Sequence, residues 1–272
     1  MTTAAATPRE PSGGRARKGL AGLVSTAYWA LQSRFGRYPR LARRFIRRHG
    51  LVVSGGPFAG MRYTQRTAVG RVVAKLIGSY EEELHGALAD LLRATPRSIV
   101  NIGSAEGYYA VGLARALPQT RVHAFELDPR RRGLCAELAR ENGVAERVVL
   151  HGACSVASLT LLPEPADVVV CDCEGFEGEL LRPDAVSWFS TASLLVELHD
   201  AFVPGTTEAI RARFEATHDV HLIQERPRDP VRYPALHYLS VPERQDALDE
   251  YRRDRQGRPL DMQWMVLTPR HA

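Results

Sequence analysis

The sequence predicts an α/β protein with a Rossmann-like, seven-stranded, mostly parallel sheet flanked by helices and preceded by an N-terminal helical extension. Three observations support this fold class. From Pro96 onward, short apolar segments alternate with segments of helical periodicity. The short segments are apolar on both faces, as strands covered by helices on both sides are. A glycine-containing turn from Gly103 to Gly107 joins the first predicted strand to the first predicted helix.

Composition divides the chain into three regions. Residues 1–19 contain mainly Ala, Thr, Pro, Gly and Arg, which predicts a disordered tail. Residues 20–94 predict an N-terminal helical or cap region, in which Pro39 separates two helices. Residues 95–272 predict the Rossmann-like domain. Within it, residues 225–261 are rich in Arg, Asp and Pro, and they predict either an ordered insertion or a mobile lid.

The predicted elements follow one another in a regular order. An extended segment with glycine turns comes first, and one or two helices follow before the sheet begins. These are residues 51–64 and 67–94, with the second helix over 82–93. The predicted strands are 98–102, 121–126, 147–151, 166–172, 194–199, 219–224 and 262–268. The helices between them are 108–116, 129–142 and 207–217.

Charge is unevenly distributed along the chain. Residues 1–50 carry eleven basic residues and one acidic residue, Glu10, which leaves 25 basic and 30 acidic residues in the remainder. A mildly acidic body gives no electrostatic footprint for nucleic acid, so no nucleic-acid partner is expected. The basic N-terminal helices predict a solvated face over the entrance of a site. The alternative is a surface that recognises an acidic substrate, a carrier protein or anionic lipid headgroups.

Cysteine usage and hydropathy indicate the compartment. The four cysteines form no CxxC pair, which is typical of reduced thiols in a cytosolic protein. No run of eighteen apolar residues occurs, so no transmembrane segment is expected. The sequence therefore predicts a soluble, cytoplasmic protein. It leaves the oligomeric state open, with a homodimer as one of the assemblies considered.

The turn after the first strand is the sharpest local signal and reads VNIGSAEGYY over residues 100–109. Glycine lets a backbone turn tightly and approach a ligand, and the free N–H groups of the following helix then face that ligand. The spacing is G-x-x-x-G, and Ala105 stands where a dinucleotide motif has its middle glycine. A ligand with one ribose and no pyrophosphate therefore fits better than a dinucleotide.

An acidic side chain follows at the spacing that a ribose requires. Glu126 ends the second predicted strand about twenty residues after the turn, where a carboxylate reaches ribose hydroxyls. A carboxylate accepts two hydrogen bonds from a vicinal diol. After the third strand, Ala153 and Cys154 supply small side chains where an adenine ring would pack.

Together these segments resemble the three cofactor motifs of the class I methyltransferases. The resemblance extends to the FkbM-like family, which has a D-x-E-G-x-E segment at strand four and an E-x-H pattern near the end of strand five. Here these segments are 172–177 and 197–199, and the upstream GSYE at 78–81 resembles a cofactor-capping segment. Asn101 stands at a position that is often acidic in such enzymes. The resemblance covers about residues 75–224.

This resemblance implies a methyltransferase that uses S-adenosyl-L-methionine (SAM). It further implies a small-molecule substrate, methylated at a hydroxyl group in specialised or glycan metabolism. The cofactor-binding residues that it implies are Tyr80, Asn101, Gly103, Ser104, Glu106, Gly107, Tyr108, Glu126, Leu127, Ala153, Cys154 and Asp172.

Polar side chains at the ends of strands four and five are the predicted catalytic residues: Asp172, Glu174 and His199. His199 suits proton removal because the usual pKa of histidine lies near neutrality, and its structural alternative is a buried core histidine. Asp172 contacts the methionyl amine, positions substrate, or caps the next helix. A divalent ion, Mg or another, held by Asp172, His199 and Asp200 is a further expectation, and Glu174 and Glu197 could join or replace these ligands.

Three other functions remain open from the residues alone. The same turn would serve a SAM-using enzyme that transfers the aminoalkyl group or cyclises the cofactor. A nicotinamide-dependent oxidoreductase is disfavoured by Ala105 and by the glycine spacing. A binding or scaffold protein with a relic fold is disfavoured because Gly103, Gly107 and Glu126 are all present.

Overall fold

The computed structural model describes residues 37–250, 252, 260 and 262–270. The predicted tail at 1–19 and the first part of the predicted N-terminal helices, up to residue 36, lie outside the described residues. The described helix that contains Pro39 begins at Arg37. Pro39 therefore stands in its first turn, where a missing backbone N–H removes no intrahelical hydrogen bond.

One seven-stranded sheet forms the centre of the described fold, in the order β3-β2-β1-β4-β5-β7-β6. Strands β1 to β5 run parallel, and β7 lies antiparallel between β5 and β6. The strands are β1 (Ser98–Ile102), β2 (Arg121–Phe125), β3 (Val148–His151), β4 (Val168–Cys171), β5 (Ser193–Leu198), β6 (His218–Gln224) and β7 (Gln263–Pro269).

Helices accompany the sheet and precede it, as predicted. They are α1 (Arg37–His49), α2 (Val72–Ile77), α3 (His85–Ala94), α4 (Tyr108–Ala116), α5 (Pro129–Glu141), α6 (Val156–Thr160), α7 (Glu177–Leu180), α8 (Thr206–Phe214) and α9 (Val241–Leu248). Short 3-10 helices occupy Glu82–Leu84, Ser187–Ser190, Pro230–Arg232 and Pro234–Leu236. No helix among the described residues has both the length and the apolar character needed to cross a membrane.

Two hydrophobic cores lie on the two faces of the sheet. Along β5, Leu194 and Val196 belong to one core, whereas Leu195 belongs to the other. The same alternation places Ile99 of β1 in one core and Val100 in the other. Because successive side chains of a strand point to opposite faces, both faces of these central strands are covered. This double burial explains why apolar residues occupy consecutive positions in these strands, such as residues 99–100 and 194–196.

The described part of the 225–261 segment packs on the N-terminal helices. Helix α9 contacts both α1 and α2, and Leu236 and Leu248 share a core with Phe45 of α1. Arg44 of α1 forms an ion pair with Glu243 of α9 at 3.0 Å. The described residues of this segment therefore share a hydrophobic core and an ion pair with helix α1.

Three parallel strands end one residue earlier than predicted, at Phe125, Cys171 and Leu198. The next residue in each case is polar: Glu126, Asp172 and His199. Asp172 still donates its backbone N–H to Ile102 at 2.9 Å, so the chain leaves the sheet only gradually. The parallel strand ends lie at one edge of the sheet, which places these side chains on the same rim.

Candidate functional site: a crevice at the carboxyl ends of the strands

The glycine-containing turn lies in close contact with the carboxyl ends of β2 and β4. Gly103 has a φ of 80°, and both Gly103 and Ser104 donate their N–H groups to the Phe125 carbonyl at 2.9 Å. A Cβ on Gly103 would lie 1.6 Å from the Asp172 carbonyl oxygen. Glycine is required here because the backbone of β4 approaches the turn directly.

Gly107, the second glycine of the motif, allows two helices to pack closely. Its φ is 103°, and a Cβ would lie 2.7 Å from the Sγ of Cys135 in α5. Burial raises the pKa of the Cys135 thiol to about 12, so this sulfur is an inert packing group. Gly107 thus lets the first turn of α4 pack against α5.

The Glu126 side chain is hydrogen-bonded to the backbone of the glycine turn and of Asp128. Its Oε2 accepts the backbone N–H of Ala105 at 2.9 Å, and its Oε1 accepts the N–H of Asp128 at 2.8 Å. The side chain is 8% exposed. A carboxylate has about four acceptor positions, so two remain for a ligand diol. The neighbouring Leu127, also predicted to contact the cofactor, has its side chain largely in solvent.

Glu106 pairs with a lysine that the sequence did not assign to the site. The Nζ of Lys75 contacts Glu106 Oε1, and both side chains are buried. The same ammonium lies 4.8 Å from the ring centroid of Tyr80 and 5.4 Å from that of Tyr108. These three predicted cofactor residues are therefore assembled around Lys75. The only available signal was its position: it is the single charge in the apolar helix VVAKLI of residues 72–77.

Two buried polar atoms near the turn have no hydrogen-bond partner among the described residues: Asn101 Oδ1 and Ser104 Oγ. The Asn101 amide donates to the Val170 carbonyl at 3.3 Å, which leaves its oxygen to find another partner. Because unpaired buried polar atoms are costly, a bound ligand or water would satisfy them. Both residues belong to the predicted cofactor set.

The end of β3 presents small side chains, as predicted. Ala153 is exposed and Cys154 is half-buried. Burial raises the pKa of the Cys154 thiol to about 12, which makes it a packing surface and not a nucleophile. His151 stacks on Phe125 with ring centroids 4.5 Å apart. This part of the rim is therefore apolar and aromatic.

The predicted catalytic residues come together around His199. The His199 side chain is 3% exposed, and its Nδ1 donates to Glu177 Oε1 at 2.8 Å. Its Nε2 lies 3.6 Å from Glu197 Oε2, 3.8 Å from Asp172 Oδ1 and 3.8 Å from Glu174 Oε2. The structure thus surrounds one imidazole with four carboxylates.

Burial and charge act in opposite directions within this group. Burial alone lowers the pKa of His199, but the hydrogen bond and the charge of Glu177 raise it above its usual value. Burial alone raises the pKa of Glu177, yet the hydrogen bond from His199 brings it below its usual value. Glu177 is therefore a buried, ionised carboxylate that holds the imidazole. The sequence pattern alone identified Glu177 as a member of the D-x-E-G-x-E segment, without a role.

Glu197 has the opposite environment. Its burial, together with the negative charge of Asp172, raises the pKa of Glu197 well above its usual range, against the effect of Arg252. Two carboxylates this close to each other favour a shared proton or a bound cation. The ligand atoms of Asp172, Glu197 and His199 all lie within 4.8 Å of one another. These three residues could hold a metal ion.

Asp200, predicted as a metal ligand, forms its hydrogen bonds with the residues at the start of α8. Its carboxylate accepts the backbone N–H of Gly205 at 3.1 Å and that of Thr207 at 3.2 Å. It also accepts the hydroxyl of Thr207. Asp200 therefore stabilises the start of α8. Glu197, and not Asp200, is the residue that faces His199. Glu197 belongs to β5 and lies two residues before His199, which follows the strand, so both side chains project to the same face.

A second ionic cluster connects the insertion to the capping segment. Arg252 lies 2.9 Å from Glu81 and 3.0 Å from Glu197, measured from its Nη2 to the carboxylate oxygens. The Nη2 of Arg228 lies 2.7 Å from Oε1 of Glu250, and its Nε donates to the Ser79 carbonyl at 3.0 Å. The insertion is thus joined by buried ion pairs to residues 78–84 and to the end of β5. Arg228 and Ser79 are 149 residues apart in sequence, and Arg252 and Glu81 are 171 residues apart. No local sequence pattern could predict these contacts.

The strand order, with five parallel strands and a reversed β7, confirms the predicted fold class of an α/β, Rossmann-like, mostly parallel sheet. Solved structures that resemble it include several methyltransferases. The O-methyltransferase TomG from Streptomyces achromogenes, in complex with SAM, is 17% identical over 86% of this chain and 99% of its own, with a TM-score of 0.48.

Two further solved structures give similar values. An O-methyltransferase from Bacillus cereus, in complex with SAH, is 12% identical over 88% of this chain and 96% of its own, with a TM-score of 0.43. Precorrin-6y C5,15-methyltransferase from Geobacter metallireducens is 14% identical over 68% and 88%, with a TM-score of 0.43. No protein-family model and no curated protein matches the sequence. These likenesses concern the fold alone.

Proposed function

We propose that this protein is a class I, SAM-dependent methyltransferase that acts on a hydroxyl group of a small molecule. The observation that carries the proposal is the Glu126 carboxylate, which is bonded to the Ala105 N–H of the glycine turn. This arrangement places a buried acceptor beside a tight backbone at the carboxyl ends of β1 and β2. A ribose diol matches that acceptor, and Ala105 stands where a dinucleotide motif has the glycine that admits a pyrophosphate.

The other rim residues suit the remaining parts of the cofactor. Asn101 Oδ1 and Ser104 Oγ are buried acceptors in need of a partner, and Asp172 offers a carboxylate for the methionyl amine. Ala153 and Cys154 provide the small side chains against which an adenine ring would pack. SAM supplies a methyl group bound to a positively charged sulfur.

Asp172, Glu174 and His199 form the proposed catalytic group at the acceptor end of the crevice. Glu174 is 74% exposed at its side chain and Asp172 is 29% exposed, so both are open to an entering substrate. Transfer requires the acceptor O–H to lose its proton while the new C–O bond forms and the C–S electron pair returns to sulfur. In this proposal, the carboxylates bind the hydroxyl and receive that proton.

Within class I, we propose an FkbM-like enzyme of specialised or glycan metabolism. The support comes from the D-x-E-G-x-E segment at 172–177 and the E-x-H pattern at 197–199. A hydrogen bond of 2.8 Å between Glu177 of the first pattern and His199 of the second supports considering the two patterns together. Aminoalkyl transfer from SAM is the alternative reaction, and it would yield methylthioadenosine in place of S-adenosylhomocysteine as the product.

Replacing Glu126 by glutamine is expected to weaken binding of S-adenosylhomocysteine by about 1.5–3 kcal/mol, since charge-assisted bonds to the ribose are lost. The amide oxygen can still accept the Ala105 N–H, but the amide nitrogen then faces the Asp128 N–H that the carboxylate accepted, so a circular-dichroism melt of the variant accompanies the titration. Titration calorimetry of the two proteins measures the difference. Glu141→Gln, an exposed change at the end of α5, serves as the matched control and should bind normally. Equal affinity of both variants would refute the ribose assignment.

A further inference from the structure

Helix α1 presents all of its arginines on one side. Its thirteen residues contain six arginines and no acidic residue. At 3.6 residues per turn, these arginines fall within an arc of about 140° and along about 17 Å of the helix. All six are exposed and together form the arginine face: Arg37, Arg40, Arg43, Arg44, Arg47 and Arg48.

The opposite side of α1 fixes the helix on the protein. Leu41, Ala42 and Phe45 are buried there, and the Tyr38 hydroxyl accepts the backbone N–H of Val73 at 2.9 Å. Because the apolar side is packed into the core, the helix cannot turn its arginines inward. The arginine face is therefore a permanent part of the surface.

The described protein neutralises little of this charge. Arg44 forms an ion pair with Glu243 at 3.0 Å, and the Arg48 guanidinium lies 4.7 Å from the ring centroid of Tyr238, which adds no negative charge. Within the described ranges, no carboxylate lies at ion-pair distance from the other five arginines of the face. Five uncompensated cations on one helix side attract an anionic partner.

The shape of the face favours an extended anionic surface over a single anion. Side chains on one side of a helix diverge from its axis, so these arginines do not converge on one phosphate. The concave part of the region is a groove between α1 and α9, and Glu243 and Asp246 line it beside Arg40 and Arg44. Those carboxylates repel a small anion in the groove, whereas a layer of headgroups offers phosphates along the whole face.

The sequence before α1 favours lipid over an acidic protein. Residues 19–33 carry no charge, include Tyr28 and Trp29, and stand between Lys18 and Arg34. Tryptophan and tyrosine beside basic residues are typical of segments at a membrane–water interface. The uncharged run is shorter than the about 20 residues that a membrane-spanning helix needs. Binding at the surface of a bilayer matches this composition.

We infer that the arginine face of α1 binds the surface of a membrane that contains anionic lipids. Each basic residue near such a surface strengthens binding about fivefold. The attraction extends over about 10 Å at 0.1 M salt, so all the arginines of the face act together. The inference uses no residue of the crevice and stands apart from the proposed methyl transfer.

The test is sedimentation of the full-length chain with vesicles of phosphatidylcholine alone and with vesicles that contain about 30% phosphatidylserine. The wild type should sediment with the second kind only, and about 1 M NaCl should release it because the Debye length falls to about 3 Å. The triple variant Arg40→Gln, Arg43→Gln and Arg47→Gln should bind about a hundredfold more weakly. A circular-dichroism melt checks that this variant is folded.

A second triple variant, Arg121→Gln, Arg182→Gln and Arg270→Gln, is the matched control. It removes the same charge from exposed arginines on three other elements, and it should bind within about threefold of the wild type because those charges lie off the face.

Three results would each overturn the inference. They are absence of binding to phosphatidylserine vesicles, equal binding to vesicles of phosphatidylcholine alone, and equal losses in the two triple variants. Calorimetry with inorganic phosphate provides a further check. Binding of free phosphate that the first triple variant abolishes would assign the face to a small anion and would also overturn the inference.

Discussion

Replacing Gly103 by alanine is expected to destabilise the protein by about 4 kcal/mol or more. The added Cβ would lie 1.6 Å from the carbonyl oxygen of Asp172 and 2.7 Å from its carbonyl carbon. The positive φ of 80° adds backbone strain for any residue with a side chain. Neither strand can retreat, because Gly103 is bonded to β2 and Asp172 to β1. Such a clash between two backbones belongs to the largest class of single-residue effects.

Urea denaturation followed by circular dichroism measures this loss, and calorimetry should show that S-adenosylhomocysteine binding is lost with it. Gly133→Ala in α5 is the matched control. A Cβ there meets nothing within 4 Å, so alanine should stabilise the helix by about 0.5–1 kcal/mol. If Gly103→Ala were as stable as the wild type, the close approach of β4 to the turn would be wrong.

Replacing Lys75 by methionine is expected to cost about 3–5 kcal/mol of stability, because it leaves Glu106 as an unpaired buried charge. The side chains of Lys75 and Glu106 are 9% and 5% exposed, so solvent cannot compensate the carboxylate. The methionine keeps most of the apolar stem between Tyr80 and Tyr108. The loss of stability is therefore electrostatic, and it affects the glycine turn, which contains Glu106.

Thermal or urea melts compare this variant with Arg93→Met, which breaks the Arg93–Asp90 pair. Those two side chains are both 72% exposed, and exposed pairs contribute at most about 1 kcal/mol. Adding Glu106→Gln to Lys75→Met should recover part of the stability by removing the unpaired charge. Equal stability losses in Lys75→Met and Arg93→Met would contradict burial of the pair.

Strand and helix positions were predictable wherever local pattern and burial agree. Strand β1 and helix α4 have the predicted bounds, Ser98–Ile102 and Tyr108–Ala116. All five residues of β1 are buried, and three of them, Ile99, Val100 and Ile102, are apolar. Strand β4 ends at Cys171, one residue before the prediction, because a polar residue can continue the hydrogen-bonding for one step beyond a strand. Such a difference does not show in hydropathy.

The site was predictable to the extent that it follows from the topology. Glu126, Asp172 and His199 were expected at one rim because parallel strands end at the same edge of the sheet, and the structure places them just after β2, β4 and β5. What no local pattern revealed was the partner of each charge. Glu177 orients His199 across 22 residues, and Lys75 neutralises Glu106 across 31.

The amino-acid sequence by itself determined the α/β class, the succession of strands and helices along the chain, the glycine turn and the rim to which the acidic residues and His199 belong. These properties arise from periodicity, from the conformational freedom of glycine and from strand polarity, all of which act within short segments. Tertiary structure alone decided that Asp200 supports α8, that Glu197 faces His199, and that Arg252 joins the insertion to the crevice. Those outcomes depend on which charges become buried next to one another, because electrostatic pairing is set by distance and desolvation once the chain has folded.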